Sequence, residues 1–546
     1  MAAKFLFFPL TLLLCVNVFV LSIAGSYSIP AGPVTLAAHG MFKPLLFLNA
    51  AFLVALLVRP RGSGEPGSAQ PGGTLRFLSG ALLLAAVAYY PALFVNFIHY
   101  DWTHSHISAT IHTFGDLAGL FFRQQADWFY RPLGFVSLWL DYSAFRNSLW
   151  AYHLQSIALH VVNCLLFRRL LLLLRVNASA AAWSALLWLV AAVNWEPVLW
   201  PAARFDVLAA TFVLAGLCTA ILYLRDEGRA SLRLALLCFW FALALAAKET
   251  AYCLPLLALF FGLTPKLWEL PRVRPAKLIL LGAALGAVVL LSVWVRVALY
   301  GEIGGYRDPA SGRPYYSLLD ARVWMYLTTR LLAPPLGVNL SVAPDRLLSV
   351  VVGLYSLGLL LCVWTFRTWR DRKHLAFLLC AALSALPALG VIGWIGPSMM
   401  HSRHLYLPSL WVFAVVVGAM DRCRWRLAVL TLFCAANVLG VWHNLSVQRK
   451  ALDRIDASVR VVLADVQGRP PGVQVALVGV PLSPNGVFLF GFELAQRVRV
   501  LAPGASVVMQ GWDRARPDLS FCWEDGLGRL VRCGPAGPRA PDPPSP

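Results

Sequence analysis

Charged residues are scarce in this chain of 546 residues, and acidic residues are the scarcest of them. Only 13% of the residues are charged and 59% are hydrophobic, and 26 Asp and Glu stand against 46 Lys and Arg. Soluble domains carry about twice this share of charge, so the scarcity excludes an ordinary soluble enzyme. Long hydrophobic runs recur instead, and they lack the alternation of membrane-barrel strands. The sequence therefore predicts an all-α polytopic membrane protein.

Hydrophobic runs long enough to cross a bilayer define about 13 predicted transmembrane helices. The first is interpreted as an anchor rather than a signal peptide, because Lys4 is its only early cation and "SIAGSYSIP" is a weak cleavage site. The predicted spans lie near residues 5–23, 41–58, 76–97, 149–174, 177–195, 205–224, 232–247, 250–265, 277–299, 347–366, 375–395, 404–420 and 426–443.

The formal net charge of +20 does not predict nucleic-acid binding, because the cations are concentrated in alternate connections between the spans. The connections at 59–76, 168–175, 225–233 and 266–277 are rich in Arg and Lys, whereas the connection at 25–40 contains neither. This asymmetry is the positive-inside pattern, which places the basic connections in the cytoplasm. The sequence predicts a multi-pass protein of the bacterial inner membrane whose functional face looks to the periplasm, or to a lumen in a eukaryotic endomembrane.

Composition divides the chain into four predicted parts. They are two leading transmembrane helices with a Gly/Pro/Ser-rich cytoplasmic linker (1–75), a transmembrane core (76–443) with extracytoplasmic loops at 98–148 and 300–346, a small extracytoplasmic α/β domain (444–533), and a disordered Pro-rich tail (534–546). In the α/β domain, "VQVALVGVPL" and "GVFLFGF" are predicted strands and "ELAQRVRVL" a helix. Cys522 and Cys533 lie outside all spans, and their spacing predicts a disulfide-closed hairpin in an oxidising compartment.

Ionisable side chains at the rim of a membrane span are costly to bury and mark functional candidates. Four clusters fall on the predicted outer face, in "HYDWTHSH", "NWEPVLWPAARFD", "AAKET" and "MMHSRHLY". These residue types suit a carboxylate that accepts a proton and cations that hold a phosphate. Adjacent opposite charges could equally neutralise each other in polar turns.

The first cluster also raises the question of a metal. His99, Asp101, His104 and His106 have side chains that bind zinc or manganese. Their spacing belongs to no strong metal-binding motif, so we predict no certain cofactor and keep a divalent metal as a possibility. Substrate contacts, or a polar membrane surface, are the alternative interpretations.

Four motifs resemble those of a known family in the same order along the chain. "FYRPLGFVSLWLDYSAFRNSLWAYHLQSIALHVVNCLLF", "EPVLWPAARFDVLAATF", "AAKETAYCLPLL" and "SRHLYLPSL" are similar to motifs of the protein O-mannosyltransferase-like enzymes of the GT-C fold. That group includes the transmembrane part of the tetratricopeptide-repeat O-mannosyltransferases and their bacterial relatives. The resemblance covers roughly residues 76–420.

The resemblance implies a GT-C helical bundle that transfers a hexose such as mannose from a polyprenyl-phosphate donor, with inversion. The acceptor hydroxyl would belong to a protein, glycan or lipid on the extracytoplasmic face. Asp101 matches the family's catalytic base, whereas Trp102 stands where relatives carry a second acid and Ser402 replaces the acid of "ERYLYLP". The expected orienting residues are Tyr100, His104 and His106, and the expected donor-binding residues are Arg131, Glu196, Arg204, Asp206, Lys248, Glu249, Arg403 and Tyr406.

Two other function classes remain open at this stage. A transporter or flippase for a lipid-linked sugar would share the charged lining, but it should show broken helices and pseudo-symmetric halves, neither of which the sequence indicates. A non-catalytic scaffold derived from the transferase fold would fit the departures at Trp102 and Ser402. If the chain is a glycosyltransferase, we expect Asp101, Arg204, Lys248 and Arg403 to converge on one outward cavity.

Overall fold

The fold is known from a computed structural model. The residues that it describes are 27–31, 34–38, 71–97, 100–124, 129–146, 148–225, 228–301, 337–338, 372–388, 399, 401–420, 426–467, 469–480, 490–502, 505–509, 519–524 and 529–533. The predicted spans at 5–23, 41–58 and 347–366, most of the loop at 300–346 and the tail 534–546 therefore lie outside the described residues.

The described residues are mostly helical, and the helices follow the hydrophobic runs. The helices are α1 (Pro71–Tyr89), α2 (Tyr100–Ala109), α3 (Phe114–Phe122), α4 (Pro132–Phe145), α5 (Leu149–Leu173), α6 (Ala178–Leu189), α7 (Trp195–Leu199), α8 (Arg204–Arg225), α9 (Ala230–Ala247), α10 (Cys253–Leu263), α11 (Pro275–Tyr300), α12 (Arg372–Ala385), α13 (Tyr406–Ala419), α14 (Arg426–Val466) and α15 (Phe490–Leu501). The strands are β1 (Tyr27–Ala31), β2 (Val34–Ala38), β3 (Gln474–Val478), β4 (Ser506–Met509), β5 (Leu519–Glu524) and β6 (Arg529–Arg532).

Six helices in the described part of the chain are long and apolar enough to cross a membrane, or seven if the bent pair α6–α7 counts as one span. The chain is thus a multi-pass helical membrane protein. The number of 13 helices stays a prediction, because several of the predicted spans lie outside the described residues.

The bent pair α6–α7 is a broken helix, with an angle of 48° between its two parts. The hydrophobic pattern predicts one continuous span at 177–195 and does not indicate this break. The break frees the carbonyl oxygen of Leu189, which accepts hydrogen bonds from the Tyr89 hydroxyl (2.9 Å) and from Nε2 of His160 (2.8 Å). Asn194 Nδ2 donates to the carbonyl of Trp188 (2.7 Å). Side chains of the protein thus satisfy the freed backbone groups, as a buried break requires.

The two ends of the helical bundle differ in charge. Helices α5 and α8 run in the same direction, because Arg204 at the start of α8 donates to the Tyr152 carbonyl near the start of α5, and Arg225 at its end donates to the Leu173 carbonyl. Arg233 at the start of α9 donates to the Leu222 carbonyl, so it lies at the Arg225 end. The basic connections at 168–175 and 225–233 therefore share one end, and the Arg204 end is the opposite one.

The last membrane helix is longer than its hydrophobic run. Helix α14 has 41 residues and continues through position 444, where a domain boundary was predicted. The boundary predicted at 444 is wrong because hydropathy marks where a helix leaves the bilayer, and not where its hydrogen bonding ends. The globular part therefore begins after Val466.

Beyond α14 the chain forms a small mixed sheet with the strand order β4-β3-β5-β6. The neighbours β4 and β5 are both parallel to β3, and β6 is antiparallel to β5. Part of one strand prediction was wrong, because Phe490–Phe492 of "GVFLFGF" begin α15. The disulfide Cys522–Cys533 is present and ties the β5–β6 hairpin, with 5.2 Å between the two Cα atoms.

Candidate functional site

The four charged clusters of the sequence meet at the Arg204 end of the bundle. Lys248, directly after α9, lies 2.6 Å from Asp206 in the first turn of α8. Arg403, in the turn before α13, contacts Glu196 in α7. The clusters come from distant parts of the chain, and the alternating direction of the helices brings their ends together.

Asp101 is buried, with 3% of its surface exposed, in the first turn of α2. Its Oδ1 accepts a hydrogen bond from the backbone N–H of Ala202 at 2.7 Å. Ala202 belongs to the short turn between α7 and α8, and Trp200 of the same turn lies 4.9 Å below the guanidinium of Arg403. This turn therefore connects Asp101, which bonds Ala202, with Arg403, which packs over Trp200.

His104 lies on the same helix as Asp101, and its ring packs among aromatic side chains. Its centroid is 5.0 Å from the Phe135 ring and 5.6 Å from the Phe205 ring, and Cζ of Arg131 lies 6.0 Å from the centroid of the same Phe205 ring. The side chains of Tyr100 and His106 lie outside the described residues, as does all of His99. Within the part that the structure describes, no three His, Cys, Asp or Glu side chains form a metal-binding group.

Arg204 differs from its predicted role as a phosphate ligand. It is 0% exposed, and its guanidinium is surrounded by protein acceptors. It forms an ion pair with Asp141, and the other acceptors are Ser156 Oγ (3.1 Å), Ser137 Oγ (3.3 Å), Gln155 Oε1 (2.5 Å) and the Tyr152 carbonyl (2.7 Å). A guanidinium with these partners fastens α4, α5 and α8 together and leaves little capacity for a ligand.

Three other cations form ion pairs around the site. Lys248 pairs with Asp206, Arg131 donates to both carboxylate oxygens of Glu249, and Arg403 pairs with Glu196 at 2.5 Å. Buried charges are tolerated when they are paired in this way. Arg131, predicted among the donor-binding residues, is thus one of the ion-paired cations of the site.

Glu196 also shapes the turn that carries Arg403. Its carboxylate accepts the backbone N–H groups of His401 (3.2 Å) and Arg403 (2.9 Å). His401 has a φ of 66°, a left-handed conformation that is uncommon for a residue with a side chain. Such local strain is held in place by its surroundings and is concentrated at functional sites.

His404 lies in this turn and is the least satisfied polar group of the site. It is 4% exposed, and neither ring nitrogen has a hydrogen-bond partner among the described residues. Burial holds its pKa well below the ordinary value, and Lys248, Arg403 and Arg131 lower it further. The same causes, burial first and then Arg403 and Lys248, lower the pKa of His401 to about 2. The site thus contains a buried imidazole whose charged form is disfavoured by Lys248, Arg403 and Arg131.

Tyr406 takes a different place from the donor-binding position predicted for it. Its hydroxyl lies 2.6 Å from Nδ1 of His160 and accepts from Nδ2 of Asn163 at 3.1 Å. These partners belong to α5 inside the bundle, and the same imidazole bonds the broken helix at Leu189. Tyr406 therefore stabilises the helix break.

Arg296 is a site residue that the sequence analysis missed. It lies near the C-terminal end of α11 and is 3% exposed. Its guanidinium makes only long contacts, to the carbonyls of Tyr130 (3.4 Å) and Leu245 (3.5 Å), and its Nε has no partner among the described residues. A charge inside an apolar span is a functional candidate by default. Arg296 is the single Arg in the hydrophobic run 277–299, and this isolated charge could have indicated it from the sequence.

The Arg131–Glu249 pair gives a pH-dependent prediction. Burial alone would raise the pKa of Glu249, but Arg131 and Lys248 outweigh it and lower the pKa to about 2. A carboxyl whose pKa is lowered on folding stabilises the protein above its ordinary pKa, 4.5 here, and this contribution is lost as the pH falls. We expect the stability difference between wild type and Glu249→Gln to be constant above pH 4.5 and to shrink between pH 4.5 and about 2.

Thermal unfolding of both proteins in detergent across this pH range measures the effect. A difference that stays unchanged down to pH 2 would contradict the assignment of the shift to Glu249.

Comparison with known proteins adds little to this geometry. No protein-family model matches the chain, and no curated protein matches it. The crystal structure of ArnT from Cupriavidus metallidurans bound to undecaprenyl phosphate is similar with a TM-score of 0.43 and 14% identity, over 84% of this chain and 94% of that chain. A TM-score of this size does not establish a shared fold. The resemblance to the O-mannosyltransferase family stays a prediction, and the functional argument depends on the site itself.

Proposed function

We propose that this chain is a membrane glycosyltransferase that moves a sugar from a polyprenyl-phosphate donor to an acceptor hydroxyl. The observation that carries the proposal is the buried His404, whose charged form Lys248, Arg403 and Arg131 disfavour, at the same end of the bundle as the buried carboxylate of Asp101. Cations in a water-poor site stabilise the negative charge that grows on a departing phosphate. An imidazole that has no hydrogen-bond partner among the described residues offers hydrogen bonds to the sugar or phosphate.

The reaction is a single displacement at the anomeric carbon. Asp101 accepts the proton of the acceptor hydroxyl, whose oxygen forms a bond to that carbon. The bond from the carbon to the phosphate oxygen breaks, and its electron pair stays on the polyprenyl phosphate. One displacement inverts the anomeric configuration. The Ala202 amide fixes one oxygen of Asp101 and so orients the carboxylate for this step.

The location of the site supports a transferase over a transporter. The described site charges gather at one end of the bundle, whereas a transporter needs polar groups along a path through the membrane. The broken helix α6–α7 is a feature of many transporters, but here Tyr89 and His160 occupy the freed carbonyl of Leu189. The basic connections lie at the opposite end, which supports a site on the extracytoplasmic face.

The test uses purified protein in liposomes with a panel of radiolabelled polyprenyl-phosphate sugars and extracted protein, glycan or lipid acceptors. We expect one donor to yield glycosylated acceptor and polyprenyl phosphate in equal amounts. Movement of the donor between leaflets without product would instead show a flippase. Donor binding without either activity would show a scaffold. His404→Phe, which keeps a planar ring of somewhat larger size and removes both nitrogens, should weaken donor binding.

A further inference from the structure

Arg497 is a buried guanidinium at the boundary between the C-terminal sheet domain and the helical bundle. It lies on α15 and is 2% exposed. It forms an ion pair with Asp456 of α14, and its Nη2 donates to the backbone carbonyl of Phe97 at 2.7 Å. An arginine side chain keeps its charge when buried, so such a position requires strong acceptors.

The segment that Arg497 contacts leads directly to the proposed catalytic base. Phe97 lies four residues before Asp101, which is in the first turn of α2. The Asn96 side chain accepts from the Phe97 amide (2.8 Å) and donates to Asp456 (3.4 Å). The Phe97 ring packs edge-on against Tyr152 of α5 at 5.0 Å. This backbone is therefore held by the bundle through its ring and by the C-terminal domain through its carbonyl.

The C-terminal domain itself is anchored to the long helix. The backbone amide of Leu530 in β6 donates to Ser458 Oγ of α14 at 3.0 Å, close to Asp456 along the same helix. Arg497 extends this anchorage to Phe97. Its planar fork can bond a carboxylate on one edge and a carbonyl on another, which a lysine ammonium does less well.

We infer that Arg497 is a positioning residue, through which the C-terminal domain holds the backbone at Phe97 and so places Asp101 for proton transfer. The inference rests on the proposed function. The C-terminal domain is therefore expected to contribute to sugar transfer by positioning Asp101. A displacement of about 1 Å at a reacting group can cost about a hundredfold in rate.

The test compares Arg497→Met with Arg499→Met in the full-length protein. Arg499 is a matched control: it lies on the same helix, is exposed, and donates to Val507 within the C-terminal domain (2.9 Å). We expect Arg497→Met to lower kcat about tenfold to a hundredfold with the donor Kd little changed. Amides of 95–109 should exchange hydrogen faster in this variant. Arg499→Met should stay within about twofold of wild type.

Two outcomes would overturn the inference. One is unchanged exchange at 95–109 in Arg497→Met, and the other is an unchanged kcat in spite of faster exchange. If Arg497→Met does not fold, Arg497→Lys keeps the charge opposite Asp456 and is measured in the same way. If the wild type transfers no sugar, the proposed function fails, and the exchange measurement alone then decides whether Arg497 holds this segment.

Discussion

Asp101→Asn should leave a folded protein that transfers sugar about 10²–10⁴-fold more slowly than wild type, the usual contribution of general base catalysis. The folded state should persist because the Asn amide oxygen can still accept the Ala202 N–H that Asp101 bonds at 2.7 Å. Donor binding should also persist, because the cations of the site are unchanged. The loss should therefore appear in kcat.

The matched control is Asp116→Asn. Asp116 is a half-buried carboxylate fifteen positions along the same predicted outer loop, and at the third position of α3 it accepts the backbone N–H of the N-cap residue Thr113. The Asn amide oxygen can accept the same N–H, so this variant should transfer sugar within about twofold of wild type. Initial rates with saturating donor, together with donor Kd values, separate the outcomes. A normal rate of sugar transfer by Asp101→Asn would show that Asp101 is not the general base. Loss of donor binding in this variant would make Asp101 a binding residue.

The membrane helices could be predicted closely, because hydropathy reports directly on burial in lipid. The span at 149–174 corresponds to α5 (Leu149–Leu173), and that at 277–299 to α11 (Pro275–Tyr300). The end of α14 could not be predicted in this way, because beyond the bilayer the helix is stabilised by packing against the C-terminal domain. Hydropathy carries no information about that contact.

The composition of the site could be predicted, but its pairing could not. Charges at the rim of spans mark a site by their cost, and Lys248 and Arg403 were found on that basis. Which carboxylate neutralises which cation depends on contacts between distant residues, such as Arg204 with Asp141. For the same reason the sequence could not show that Arg131 lowers the pKa of His404, whereas Arg204 forms an ion pair with Asp141.

The second large effect should come from Arg204, as a loss of stability. Arg204 and Asp141 are both almost completely inaccessible to solvent. Removing one partner of a buried ion pair leaves an uncompensated charge and costs about 3–5 kcal/mol. We therefore expect Arg204→Met to lower the free energy of unfolding by about this amount. Arg204→Met combined with Asp141→Leu should recover much of the loss, because the double variant buries neither charge.

The control for Arg204→Met is the exposed pair Lys373–Glu269, whose Nζ–Oε1 distance is 3.0 Å. Exposed ion pairs contribute about 0–1 kcal/mol, so Lys373→Met should change stability little. Denaturant unfolding in detergent of Arg204→Met, Asp141→Leu and the double variant gives the coupling energy of the Arg204–Asp141 pair. The same variants decide between the two roles of Arg204. If Arg204 bound the donor phosphate, Arg204→Met would lose donor binding at normal stability. We expect a loss of stability instead, since among the described residues the acceptors around this guanidinium belong to the helices that it joins.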